Sequence, residues 1–95
     1  MEKLKRIPLL MPVEIAEGEK IAELVMQLPM ARHVLAARRE AGDAADFDPT
    51  LFALLCNVPR ALIADLCAAD LHALDAAYAE MTSPAWFAGG GEGNA

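Results

Sequence analysis

The sequence predicts an α+β domain: an N-terminal antiparallel β-hairpin, then three to four short α-helices, then a flexible C-terminal tail. Three observations carry this. Residues 7–15 and 20–28 are two apolar runs separated by a short polar break that contains Gly18. After Pro29 the apolar residues recur every third or fourth position instead of every second. The last residues form a glycine run with no apolar pattern. The predicted domain covers residues 1–84, and the tail covers 85–95.

The hairpin can be given a register. If partners sum to 35, Ile7 faces Leu28, Leu9 faces Met26, Met11 faces Leu24 and Val13 faces Ala22, so one side is wholly apolar. The other side is mixed and includes the pair Leu10 and Val25. Pro8 and Pro12 share parity, so the same lateral side of the first strand lacks both amides and that strand is expected at an edge. A four-residue loop over residues 16–19 places both prolines at sites that need no hydrogen bond.

The helices follow in order. Met30, Val34, Ala37 and Ala41 make one helical stripe, with Arg32, Arg38 and Arg39 off it and Gly42 as the stop. Residues 43–48 read as an acidic loop, with Asp48 as N-cap and Pro49 in the first turn. Leu51, Phe52, Leu54 and Leu55 give a short apolar helix that Asn57, Val58 and Pro59 break. Leu62, Ile63 and Leu66 face a second short segment. Leu71, Leu74, Tyr78 and Met81 form the stripe of a last helix, with Asp70 in its first turn, where a negative charge suits the helix dipole. Trp86 and Phe87 follow its expected end at residues 82–84. They either fold back onto the core or stay exposed as a binding anchor.

Composition narrows the function. The chain is 56% hydrophobic with a net charge of −6. Residues 1–40 carry seven Lys/Arg against six Asp/Glu, whereas residues 41–95 carry Arg60 alone against eight acids. An acidic half argues against nucleic acid and against an anionic membrane surface as partners. No stretch reaches the roughly 18 apolar residues of a membrane span. No signal peptide is read at the N-terminus, because Pro8, Pro12 and Glu14 interrupt the only apolar run there. A cytoplasmic protein is expected. So short a chain builds a modest core, which favours a homo-oligomer.

The search for chemistry yields no catalytic arrangement. Cys56, Cys67, Thr50, Thr82 and Ser83 are the candidate nucleophiles, and His33 and His72 the candidate bases. Nothing in their spacing links a pair. The cysteines and histidines fit no zinc knuckle, so buried thiols and surface histidines are expected. Asp43, Asp46 and Asp48 lack the twelve-residue calcium pattern. No enzyme activity, metal or cofactor is therefore expected. Arg32, Arg38 and Arg39 are read as a solvated face that can also receive the acidic half of a neighbouring copy.

The order of these pieces resembles the short tail assembly chaperone family of Mu-like and related contractile-tailed phages, over roughly residues 7–82. After the hairpin come Leu28, Pro29, Met30, Ala31 and Arg32, similar to that family's proline-then-arginine lead into its first helix. The likeness is clearest in Leu54, Leu55, Cys56, Asn57, Val58 and Pro59, followed by Ile63, Asp65, Leu66, Asp70, Leu71 and Leu74. Asn57 stands where a glycine is common. The resemblance implies a phage or prophage protein of the host cytoplasm that binds the tape measure protein and helps bring tail-tube protein to it. The alternative from the residues alone is a small acidic cytosolic adaptor or regulatory protein unrelated to tails. In either case the side chains expected to meet a partner are Leu10, Val25, Arg32, Arg39, Leu71, Tyr78, Trp86 and Phe87.

Overall fold

The alternating run of residues 7–28 folds on itself, and the helical periods after Pro29 become helices. The computed structural model describes residues 3–16 and 18–88. Strands β1 (Leu4–Ala16) and β2 (Glu19–Gln27) form a two-stranded antiparallel sheet. Helices α1 (Ala31–Ala41), α2 (Phe47–Cys56), α3 (Arg60–Ala64), α4 (Ala68–Met81) and α5 (Pro84–Ala88) follow, with a 3-10 turn at Ala44–Asp46 before α2. The fold class is that expected, with one helix more. Helix α5 begins at the expected domain boundary and takes in residues assigned to the tail. The glycine run of that tail lies outside the described residues.

The register differs from the uniform pairing expected. Ile7 lies opposite Leu24 and Pro8 opposite Glu23, while nearer the turn Val13 pairs with Ile21. Four residues of β1, 9–12, therefore oppose Ala22 alone, which makes a wide bulge in β1. The loop is shorter than expected as well. Ala16 pairs with Glu19, and Gly18 takes the positive φ of 85° that a tight hairpin turn demands. Before the bulge, partners are offset by four from the expected sum. An even offset keeps every side chain on its face. Ile7, Leu24 and Met26 are indeed buried and Leu28 is half-buried; Leu9 in the bulge and Val13 beyond it are buried as well. Met11, within the bulge, and Ala22, which faces it, are exposed instead.

The inner face of the hairpin packs on α2 and α4. Met26, Leu55, Leu74 and Met81 are fully buried at the centre; each such side chain contributes roughly 1.5–3 kcal/mol by leaving water. The Gln27 side-chain amide donates to the Leu54 carbonyl at 3.3 Å and ties β2 to α2. Phe52 meets the edge of Tyr78 at 6.4 Å between ring centres.

The helix ends show the local chemistry. Asn57 terminates α2 in the left-handed region (φ 55°, ψ 50°). Its amide donates to the Leu54 carbonyl, and the Val58 amide reaches back to Ala53 at 3.0 Å. This is a Schellman closure, in which asparagine is the usual substitute for glycine. The departure from the family pattern at Asn57 therefore keeps the conformation glycine would supply. Asp48 is not the cap expected. It lies in the first turn of α2, and Asp43 instead accepts from the Asp46 amide at 3.1 Å, because the acidic segment winds into a 3-10 turn. His33 is buried, not at the surface. Its Nδ1 accepts the Met30 amide at 2.9 Å and closes the start of α1.

Trp86 and Phe87 part company. Trp86 is 7% exposed and joins the core, whereas Phe87 is 48% exposed. The Ser83 hydroxyl accepts the Trp86 amide at 3.2 Å and starts the turn that carries the indole back. The rings meet edge to face at 5.4 Å, and Lys3 Nζ lies 5.2 Å from the indole centre.

Two substitutions check these assignments by urea unfolding. Asn57→Ala is expected to lower the unfolding free energy by about 1 kcal/mol, and Asn57→Gly to change it by less than about 0.5 kcal/mol. Trp86→Ala is expected to cost about 3 kcal/mol, and Phe87→Ala less than about 1 kcal/mol.

Candidate protein-binding site

The β1 bulge exists where α4 begins. Asp70 occupies the first turn of α4 and is completely buried. Its Oδ1 accepts the Leu10 amide at 2.8 Å, and its Oδ2 accepts the Met11 amide at 3.1 Å. The Cys67 thiol donates to Oδ2 at 3.3 Å. Pro8 and Pro12 bracket these two amides. The carboxylate thus supplies partners for backbone groups that β2 leaves unpaired. The Leu10 amide holds the Asp70 carboxyl below its ordinary range; burial pushes the other way, and the Met11 amide and Cys67 thiol add to the lowering.

Fixing the two amides inward turns both side chains outward. Leu10 is 76% exposed and Met11 62%. Toward the other end of α4, Lys5 Nζ lies 3.1 Å from Glu80 Oε1. The two polar clamps hold β1 beside α4 and leave a groove of about 440 Å³ between them. Its helical wall is made by Ala69, Ala73, Ala76 and Ala77, and Pro8 and Leu10 stand on the strand side. Spacings of four, seven and eight put these alanines on one helix face. A wall of methyl groups lets another helix approach closely, since side-chain size at the contact sets the interaxial distance.

The groups considered for chemistry have structural duties. Burial pushes the Cys56 thiol up to about 12, far from a thiolate at neutral pH. Burial, and then the neighbouring Arg32 charge, lowers His33 below its ordinary value, which suits an imidazole that accepts an amide through Nδ1. The Thr82 hydroxyl donates to the Tyr78 carbonyl at 2.8 Å and the Ser83 hydroxyl to Glu80 at 2.9 Å. Among the described residues no group of three or more His, Cys, Asp or Glu side chains is assembled to hold a metal. No helix among them is long and apolar enough to cross a membrane.

The eight side chains expected to meet a partner lie on several elements. Leu10 stands at the groove. Val25, opposite Arg6, sits on the outer face of β2 and is 36% exposed. Arg32 and Arg39 are exposed on α1. Leu71 and Tyr78 are half-buried on α4 and pack against the core, which Trp86 joins outright. Phe87 faces solvent. Sequence reasoning missed Met11, the alanine wall and the bond from Asp70. Two prolines around three consecutive apolar residues, Leu9, Leu10 and Met11, were the available signal for the bulge, but the acceptor of the Leu10 amide lies 60 residues away.

A family model for phage tail assembly chaperone proteins, E, or 41 or 14, matches residues 6–83. The chain belongs to this family of phage tail assembly chaperones. The match runs from within β1 to the residue after Thr82, so it takes in the bulge, Asp70 and the alanine wall. No curated protein and no solved structure matches the chain. Membership points to a role exerted through contacts with tail proteins rather than through catalysis.

In this chaperone the Asp70 clamp has a directional pH dependence. A carboxyl lowered on folding stabilises the native state fully above its unfolded value, 3.8, and the gain is lost as the pH falls through the folded value. Asp70→Asn places an amide donor against at least one backbone donor. It is expected to lower the urea midpoint more than Asp75→Asn, and to speed hydrogen exchange at the Leu10 and Met11 amides specifically. Its acid unfolding curve should also be shallower than that of the unaltered chain.

Proposed function

We propose that this chaperone binds the tape measure protein of the tail, covers its apolar helical stripes until tail-tube protein is brought to it, and works without catalysis in the bacterial host cytoplasm. The observation that carries the reading is the alanine-walled groove beside the exposed Leu10 and Met11. An amphipathic helix laid in such a groove meets methyl groups along its length and two large flexible side chains at one edge. Each contact of this kind is small. A long partner with repeated apolar stripes gains by engaging many copies, so self-association of the chaperone on it raises the total affinity without a new contact type.

Co-expression tests the reading. The chaperone is expected to increase the soluble fraction of the tape measure protein encoded in the same genome, and to co-purify with it. Ala76→Trp, which fills the groove from an exposed position, and Leu10→Asp should abolish this while leaving the chaperone's own circular dichroism and melting unchanged. A tape measure protein equally soluble with and without the chaperone would sink the proposal. Loss of binding in neither variant would move the site off this groove.

A further inference from the structure

Helix α1 carries an outer face that the fold does not use. His33, Ala37 and Ala41 turn inward. On the opposite side Leu35 is 54% exposed, with Arg32 three residues before it and Arg38 and Arg39 three and four residues after it. That spacing sets one apolar side chain in the middle of three guanidinium groups on a single face.

A complementary surface lies elsewhere on the same chain. A cleft of about 400 Å³ opens between the turn end of the hairpin and the joint of α2 and α3. Ile15, Ile21, Val58 and Leu62 give it an apolar lining, and Glu14 and Asp65 bring carboxylates to it. Ile15 is itself 49% exposed. Among the described residues, none of these five charged side chains, Arg32, Arg38, Arg39, Glu14 and Asp65, takes part in an ion pair.

From this we infer that copies of the chain associate head to tail, the outer face of α1 of one copy seating Leu35 in the hairpin–α3 cleft of the next, with its arginines toward Glu14 and Asp65. The occupant is a second copy because the chain carries both halves with opposite charge and matching apolar centres. The signs also forbid the simplest alternatives. Two α1 faces would set six guanidinium groups together, and two clefts would set carboxylate against carboxylate, each a repulsive pairing. The surfaces being different, the contact is heterologous, and repetition builds a ring or a filament wherever the geometry does not close on two copies. The inference rests on the self-association proposed above and adds which two faces meet.

Sedimentation velocity of the full chain and two variants tests it. Leu35→Asp alters the α1 face and Ile15→Asp the cleft, both at exposed positions outside the core, with circular dichroism confirming that each variant folds. The unaltered chain is expected to sediment above the monomer, and each variant alone to associate at least about tenfold more weakly. An equimolar mixture should recover a complex of one copy of each and nothing larger, because only one intact pair of faces remains. Raising the salt should weaken association of the unaltered chain, since the charges are exposed. An unaltered chain that stays monomeric overturns the self-association proposed above, and this inference with it. An associating chain that neither variant weakens, a loss confined to one variant, or a mixture that stays monomeric overturns the head-to-tail contact alone.

Discussion

The buried carboxylate of Asp70 is the constraint around which this molecule is arranged. It sits at the start of α4, where the helix dipole favours a negative charge, yet its acceptors are spent on another element, the Leu10 and Met11 amides of β1. Without that acceptor two amides would be left between prolines, with no strand to pair them. With it, β1 is drawn against α4 and the side chains of Leu10 and Met11 are pushed out. One interaction therefore sets the hairpin's register, the seating of the longest helix and the exposed edge of the groove.

The same arrangement shows how a small chain can present apolar surface without losing its fold. The core is served by one side of the hairpin and the inner faces of α2 and α4, with Trp86 folded back as its last piece. What lies outside is divided into separate sites, each with its own polar surroundings. Leu10 and Met11 project from a bulge that breaks the strand edge, which also discourages edge-to-edge pairing. Leu35 is ringed by arginines, and Ile15 lies in a cleft with carboxylates. Charge and irregular backbone thus separate these exposed apolar groups from one another.

Family membership points to a protein that acts by contact, and the side chains considered for chemistry have structural duties. The thiol of Cys56 is too deeply buried to ionise, and the imidazole of His33 is held neutral as a helix cap. The hydroxyls of Thr82 and Ser83 close the end of α4. Residue types that elsewhere perform catalysis here satisfy backbone groups at the ends of short helices. A fold of several short helices has many such ends relative to its length.

Local chemistry made much of this legible. Alternation placed Ile7, Leu24 and Met26 inward even though the pairing itself was offset, because a shift of four residues leaves faces unchanged, whereas Leu9 within the bulge and Val13 beyond it are buried under a different register. Gly42 and Asn57 marked helix ends through the positive φ they tolerate. Helical spacing found Leu74 and Met81, and the order of these short motifs was enough to indicate the family. The bulge and the return of Trp86 to the core were decided only when distant segments met, whereas the tight turn at Gly18 and the His33 cap on the Met30 amide are local devices that periodicity does not report. Each depends on which backbone groups find a partner, and the partner of Leu10 lies 60 residues further along the chain. Sequence periodicity reports which way a residue faces; it carries no record of the acceptor that will claim an amide, and in this protein that acceptor determines which apolar side chains of the hairpin are left exposed.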